Sequence, residues 1–495
     1  MAAAVGAQAA AEVVAGVAPG EVVTPETRLR VPQGDFEVLR VPATHSPNLR
    51  AWDAADEYVL SHLDQIQLDT GGRWVVVNDT FGALAVALAG RRPAAISDSV
   101  VSQQATRANL SLNGCAEDSV QLLASLDDPP EHIDVLIMKV PRTLALLEHQ
   151  LHRLRPALHE GSLVLGAGMT RTIHTSTLDL FERLVGPTTT TRAVKKARLI
   201  MSAVDAGTAD LGPAPGPSSY RLVTGEQIVS HATVFSAGRL DQGTALLLEH
   251  LPTDLENSRV VDLGCGSGVL GVRVAALNPT VEVEFVDSSY RAIASAEATW
   301  RAAFGADRAA TFSAASGLDH LEPESLDLVV NNPPFHADRS MGDAVAWQMF
   351  TGARRCLRVG GELLVVGNRH LGYHAKLKRI FGNCTTVAST PKFVTVRARK
   401  GRMRRLRPSS RLVLASQPSS LILLTSNSFL GVPSGMLVFH SMLPSKPTAW
   451  RTFSASSDIG RSWPVPTLTS RSSGCSRSVL KFCIKKSRAS ARSST

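Results

Sequence analysis

From Trp74 to Val366 the chain repeats one rhythm: a short β-branched or aliphatic run, a turn, then a longer stretch with apolar positions at helical spacing. The runs are Trp74-Val-Val-Val-Asn-Asp79, Ala95-Ile-Ser-Asp98, Asp134-Val-Leu-Ile-Met138 and Gly161-Ser-Leu-Val-Leu165. A second set follows: Arg259-Val-Val-Asp-Leu-Gly264, Val281-Glu-Val-Glu-Phe-Val-Asp287, Leu326-Asp-Leu-Val-Val-Asn331 and Gly361-Glu-Leu-Leu-Val-Val366. Runs that are mostly continuous rather than alternating are those of strands buried on both faces. Their alternation with helices predicts parallel sheets covered on each side. The two sets match in order, which predicts an α/β chain of two tandem Rossmann-like domains made by duplication.

The organisation expected is a flexible Ala-rich leader over 1–34, a first domain over 35–200, a linker over 201–225, a second domain over 226–400 and a tail over 401–495. The linker is rich in Gly, Pro and Ser. The tail is Ser-rich, and its apolar stretches lack either period, so disorder is expected there.

Charge sharpens this division. The whole chain has 52 Lys and Arg against 43 Asp and Glu, formally +9. From Gly401 onward it has 15 basic residues and a single acid, Asp458. The folded part is therefore net acidic, and a uniformly basic nucleic-acid coat is excluded. No apolar run approaches the roughly 18 residues needed to span a bilayer. The six cysteines are scattered, with no CxxC pair and no zinc-ligand spacing. Reduced thiols, a cytoplasmic location and no bound metal are expected.

The candidate chemistry lies in the second domain. Asp262-x-Gly264-x-Gly266-x-Gly268 leaves a strand and enters a helix, a bend in which glycine backbone can lie against a ligand. Gly266-x-Gly268-x-x-Gly271 also fits a dinucleotide fingerprint. Asp287 ends the next strand, where an acid can accept hydrogen bonds from ribose hydroxyls. Asn332-Pro333-Pro334-Phe335 follows an apolar strand at the sheet's C-terminal edge. The prolines hold the chain extended. The Asn332 oxygen and a proline carbonyl can accept from one NH₂ group, and Phe335 offers a face to a planar ring. Two acceptors on an exocyclic amine help localise its lone pair and aim it at an electrophilic methyl. The first domain has Asn78-Asp-Thr80-Phe-Gly82-Ala-Leu84 in place of the glycine bend, aligned with Asn78 opposite Asp262. With bulkier residues for two of three glycines, it reads as a degenerate, non-catalytic copy.

Asp262-Leu-Gly-Cys-Gly-Ser-Gly268 with Asn332-Pro-Pro-Phe-His336 resembles the class I S-adenosylmethionine-dependent methyltransferases that act on planar amino groups. Phe235-Ser236, Leu240-Asp241, Gly243, Val345-Ala-Trp347 and the duplication narrow the resemblance to bacterial ribosomal RNA guanine-N2 methyltransferases. Ala51-Trp-Asp-Ala-Ala-Asp-Glu-Tyr58, Lys139-Val-Pro-Arg-Thr-Leu-Ala-Leu-Leu147 and Gly186-Pro-Thr-Thr-Thr-Thr191 point to their large-subunit branch.

The resemblance covers about residues 36–400 and implies methyl transfer from S-adenosyl-L-methionine to the N2 amine of a guanine in 23S rRNA. It implies that Asp262, Gly264, Gly266 and Gly268 hold the amino-acid part of the cofactor and Asp287 its ribose. Asn332 and Pro333 would bind the amine, and Phe335 would stack on the base. The adenine contact is open between Ser313 and Ser316, because the usual Asp or Asn is missing. His336 is read as structural or base-edge rather than a base.

RNA is expected on two basic runs: Arg192, Lys195, Lys196 and Arg198, and Arg397 to Arg407. The first domain would position it. Alternatives are a 16S rRNA substrate, an adenine or protein-glutamine methyltransferase, and a non-catalytic ribosome-assembly factor.

Overall fold

The computed structural model describes residues 26–402 except 42, 44–48, 69–70, 206, 208–210, 212–213, 233, 235–237 and 335–338. It also describes Val438–His440 and Thr452–Ser454, which pair antiparallel with one another. The leader before residue 26 and most of the basic tail lie outside these residues.

In the first domain the strands are β1 (Arg28–Val31), β2 (Gly34–Glu37), β3 (Trp74–Val77), β4 (Ala94–Ser97), β5 (Gln121–Ala124), β6 (Ile133–Lys139), β7 (Leu158–Met169), β8 (Thr188–Thr190) and β9 (Ala197–Ala203). The helices are α1 (Ala54–Gln65), α2 (Ala83–Ala87), α3 (Val100–Leu112), α4 (Leu144–Leu154) and α5 (Thr175–Leu184). The second domain repeats the series. It has β10 (Ser218–Arg221), β11 (Gln227–Ser230), α6 (Gln242–Leu248), β12 (Arg259–Leu263), α7 (Val269–Leu277), β13 (Glu282–Asp287) and α8 (Tyr290–Phe304). It continues through β14 (Thr311–Ala314), β15 (Leu326–Asn331), α9 (Arg339–Cys356), β16 (Leu357–Asn368), α10 (Tyr373–Phe381), β17 (Thr385–Ser389) and β18 (Phe393–Arg399).

The sheets have the same topology. Their orders are β5-β4-β3-β6-β7-β9-β8 and β14-β13-β12-β15-β16-β18-β17, and in each a single strand, β9 or β18, runs antiparallel to all the others. Period-two packing divides each central strand between layers. Val260 faces α6, α7 and α8, while Val261 and Leu263 face α9 and α10. The same division separates Trp74 and Val76 from Val75 and Val77.

Three expectations are corrected. The leader does not run to residue 34, because β1 and β2 form a hairpin whose Leu29 is fully buried. Likewise the segment read as linker contains β10, which pairs with β11 at the start of the second domain. Each repeat thus begins with its own hairpin.

The third correction concerns the alignment of the copies. Val77 lies opposite Met138 and Leu263 opposite Asn331, so Asn78 corresponds to Gly264 rather than Asp262. Both residues are left-handed, at φ 65° and 68°. Gly82 and Gly268 are then equivalent helix N-caps at φ 82° and 77°. A slip of two residues keeps every strand side chain on its own face, so hydrophobic pattern could not detect it.

Candidate active site

The C-terminal edge of the second sheet opens into a cavity of about 640 Å³. Its size suits a nucleoside-sized ligand. The strand ends β12, β13, β14 and β15 converge on it, and parallel sheets place ligand sites at this edge. Gly264, Gly266, Asp287, Asn332 and Pro333 all line it.

The bend is shaped for close approach. Gly264 and Gly266 are both left-handed, at φ 68° and 54°. A Cβ on Gly264 would come within 3.0 Å of Met349, itself a cavity residue. A Cβ on Gly266 would project into open cavity, with only Val234 at 4.0 Å. That cradle fits the amino-acid end of S-adenosylmethionine, and the Asp287 carboxylate fits its ribose.

Asp287 is held from two sides. Its Oδ2 accepts from Gly266 N–H at 3.1 Å and its Oδ1 from Ser289 N–H at 2.9 Å. Burial pushes its carboxyl up, and these N–H donors oppose the shift. Of the two serines considered for the adenine end, Ser316 lines the cavity. Ser313 instead donates to Glu284 at 2.5 Å.

Asp262 and Gly268 stand behind the bend rather than on the cavity wall. Asp262 Oδ2 accepts from Gly271 N–H at 2.8 Å, tying the strand end to the first turn of α7. Burial pushes its carboxyl up to about 8. A Cβ on Gly268 would meet the Ala296 backbone at 3.0 Å, so that glycine permits close helix packing.

Asn332 lines the cavity with its amide fixed at one end. Its Nδ2 donates to Thr244 Oγ1 at 2.9 Å, and its Oδ1 is buried without a partner. The amide is thus anchored by its donor end with its acceptor free. Thr244 was not among the residues singled out from sequence. It lies 88 positions earlier, on α6, and spacing carries no signal of such a pair. Its backbone is set by Asp241, the N-cap of α6, whose side chain accepts from Thr244 N–H. Phe335 and His336 lie outside the described residues.

The first domain fills the same positions with its own side chains. Asn78 exchanges hydrogen bonds with Gln150 at 2.8 and 2.9 Å and donates to Lys139 O. Lys139, in the place of Asn332, makes 2.7 Å ion pairs with Asp53 and Asp56. The remnant cavity, lined by Val77, Ile96 and Ser125, measures about 20 Å³.

The basic runs lie on different edges. Arg192, Lys195, Lys196 and Arg198 occupy the β8–β9 turn and the start of β9, at the C-terminal edge of the first sheet. Lys195 pairs there with Glu57 at 2.8 Å, and Arg192 O accepts from Tyr58. Arg397 and Arg399 end β18 and Lys400 follows it, at the edge of the sheet opposite the cavity. There Lys400 binds the carbonyls of Arg355 and Leu357, and Arg399 that of Gly360. Arg404, Arg405 and Arg407 fall outside the described residues.

Among the described residues no helix is long and apolar enough to cross a membrane, and no group of three or more His, Cys, Asp or Glu could hold a metal ion.

Comparison with known proteins places this site in a wider setting. Residues 26–206 match the model of the RLMG N-terminal domain, and residues 225–397 that of the methyltransferase small domain. Ribosomal RNA large subunit methyltransferase G of Streptomyces griseus is 53% identical over 381 residues, 75% of this chain and 99% of the relative. The protein of that name from Yersinia enterocolitica is 47% identical over 371 residues, 74% of this chain and 92% of the relative. A T. Thermophilus 16S rRNA N2 methyltransferase, solved in complex with AdoMet and guanosine, has the same fold. It is 22% identical, with a TM-score of 0.60, covering 77% of this chain and 99% of that one.

Proposed function

The chain belongs to the ribosomal RNA large subunit methyltransferase G family, and on that premise we propose that it methylates the exocyclic N2 amine of a guanine in 23S rRNA, with S-adenosyl-L-methionine as donor. The observation that carries the reading is the Asn332 amide, fixed by Thr244 and with its oxygen unpartnered, on a residue that lines the same cavity as the glycine bend and Asp287.

Bound S-adenosylmethionine supplies a methyl group already activated by its sulfonium charge. The protein's task is therefore positioning more than acid–base chemistry. Gly264 and Gly266 let the backbone approach the donor, and Asp287 accepts from its ribose. The Asn332 oxygen and the Pro333 carbonyl accept the two amine hydrogens, which turns the nitrogen lone pair toward the methyl. Pro333 and Pro334 keep that carbonyl in place. Phe335 stacks on the guanine, offsetting part of the few kcal/mol that flipping a base costs. The amine sheds its extra proton after transfer, so no strong base is needed. Arg192, Lys195, Lys196 and Arg198 contact RNA phosphates from the first domain. The reaction takes place in the cytoplasm.

The test is incubation with labelled S-adenosylmethionine and protein-free 23S rRNA, followed by digestion to nucleosides. Labelled N2-methylguanosine is expected; RNA binding without label points to an assembly factor, and label only in a parallel incubation with protein-free 16S rRNA to the small-subunit substrate. Asn332→Ala is expected to abolish transfer and leave cofactor affinity within a few fold. Loss of cofactor binding in that variant overturns its assigned role.

A further inference from the structure

The two domains meet through equivalent segments. Ser99 and Ser289 are the N-caps of α3 and α8, and they form an antiparallel bridge with one another. Around it, Val100 N–H donates to Ser288 O at 2.9 Å, and Tyr290 N–H donates to Asp98 O at 3.0 Å. These bonds exchange under a pseudo-two-fold axis through the serine pair. A side-chain layer reinforces them. Asp98 accepts from Ser289 Oγ at 2.6 Å, from Arg291 N–H at 3.1 Å and from Ser125 Oγ at 2.5 Å. Tyr290 Oη donates to Gln103 at 2.8 Å.

Two residues past each cap, Val101 and Arg291 hold equivalent positions, and each crosses into the other domain. Arg291, only 2% exposed, lines the first domain's remnant cavity beside Gln150 and His149. Val101 lines the large cavity of the second domain, joined by Gln104 one turn further along α3. Gln104 is exposed and lines the same cavity as Asp287, Ser288, Ser289 and Ala292. The first domain thus supplies a wall at the end of the cavity where Asp287 sits.

We propose that the first domain completes the cofactor pocket: Val101 keeps it open by being small, and Gln104 hydrogen-bonds the nucleoside part of the ligand beside Asp287. The inference rests on the reading of the cavity as the S-adenosylmethionine site. An amide suits that place, because it can donate to a ring nitrogen and accept from a hydroxyl at once. A long cation at position 101 would close this cavity as Arg291 occupies the other.

Isothermal titration of the full-length protein with S-adenosylmethionine, without RNA, tests it. Gln104→Ala is expected to raise Kd by about fivefold, the size of one lost neutral hydrogen bond. In turnover it should raise KM for S-adenosylmethionine and leave kcat and KM for RNA unchanged. Val101→Arg is expected to abolish binding while circular dichroism and Tm stay close to wild type. Asp287→Ala serves as the control for the site itself. If it weakens binding while both first-domain variants bind like wild type, the cavity is the cofactor site and the present inference is wrong. If Asp287→Ala also binds like wild type, the reading of the cavity fails with it. A Gln104→Ala effect confined to KM for RNA also overturns the inference, since it would place that residue on the RNA face. Should Val101→Arg fail to fold, Gln104→Ala decides alone.

Discussion

Thr244→Val isolates the hydrogen bond that orients Asn332. Valine keeps nearly the volume of threonine, so the α6 contacts and the cavity wall persist, and only the hydroxyl is lost. In the native protein Nδ2 of Asn332 spends its donor on Thr244 at 2.9 Å, and the oxygen is left for the substrate amine. Without the hydroxyl the two amide orientations become closer in energy, and only one presents an acceptor. A neutral hydrogen bond is worth about 1 kcal/mol net, or roughly fivefold in rate. Single-turnover transfer from saturating S-adenosylmethionine to 23S rRNA should therefore slow about fivefold. Cofactor Kd should hold, and Thr244→Ser should restore most of the rate. A wild-type rate in Thr244→Val would refute the idea that the threonine orients the amide. An equal slowing in Thr244→Ser would show that the methyl packing, not the hydroxyl, matters.

The remaining predictions concern the bend, a buried acid and the tail. Gly266→Ala should cost only about 1–2 kcal/mol of stability, from the left-handed backbone, yet weaken S-adenosylmethionine binding sharply, because its Cβ enters open cavity. Gly271→Ala should do the reverse. Its Cβ collides with the Phe285 ring, so a loss of about 1–3 kcal/mol in denaturant unfolding is expected. Asp262 holds a proton up to about pH 8 in the folded state, against 3.8 as its ordinary value. Unfolding therefore releases that proton between these limits, and the contribution to stability is full below the lower value and lost as pH rises toward the upper. Urea unfolding at several pH values should show Asp262→Asn gaining on wild type from pH 5 to 8 and levelling above; a constant difference would contradict the assignment. A chain ending at Arg404 should keep full transfer activity, since every described cavity residue precedes Lys400, and a filter-binding methylation assay checks this.

Much of the fold could be read from residue order because its strands are buried on both faces. Val260-Val261 and Leu328-Val329-Val330 announce themselves as apolar runs, and their repetition announces the duplication. The hairpins Arg28–Glu37 and Ser218–Ser230 were harder to see. Their short strands alternate, and each lies beside a stretch of Ala, Gly, Pro or Ser that dominates the local composition. The alignment of Asn78 failed for a different reason: strand periodicity repeats every two residues, and it takes the strand register and the left-handed backbone at Asn78 and Gly264 to break the tie.

At the site, residues at or just past the C-terminal ends of strands were legible, since topology gathers those ends at one edge. Gly264, Gly266, Asp287, Asn332 and Pro333 came together for that reason. Asp262 points back into α7 because, two residues before Gly264, it still belongs to the strand. Thr244, Val101 and Gln104 come from helices far away in the chain, where only tertiary packing makes them neighbours of the cavity.

The crossing of Val101 and Arg291 bears on how such a protein can change over generations. In a symmetric homodimer one substitution at that position alters both clefts together. Once the copies are successive stretches of a single polypeptide, each position mutates alone. A bulky cation can then seal one side without touching the other, and the sealed half becomes scaffolding for its twin. Silencing one reaction chamber is in this way compatible with, and even useful to, the survival of its partner.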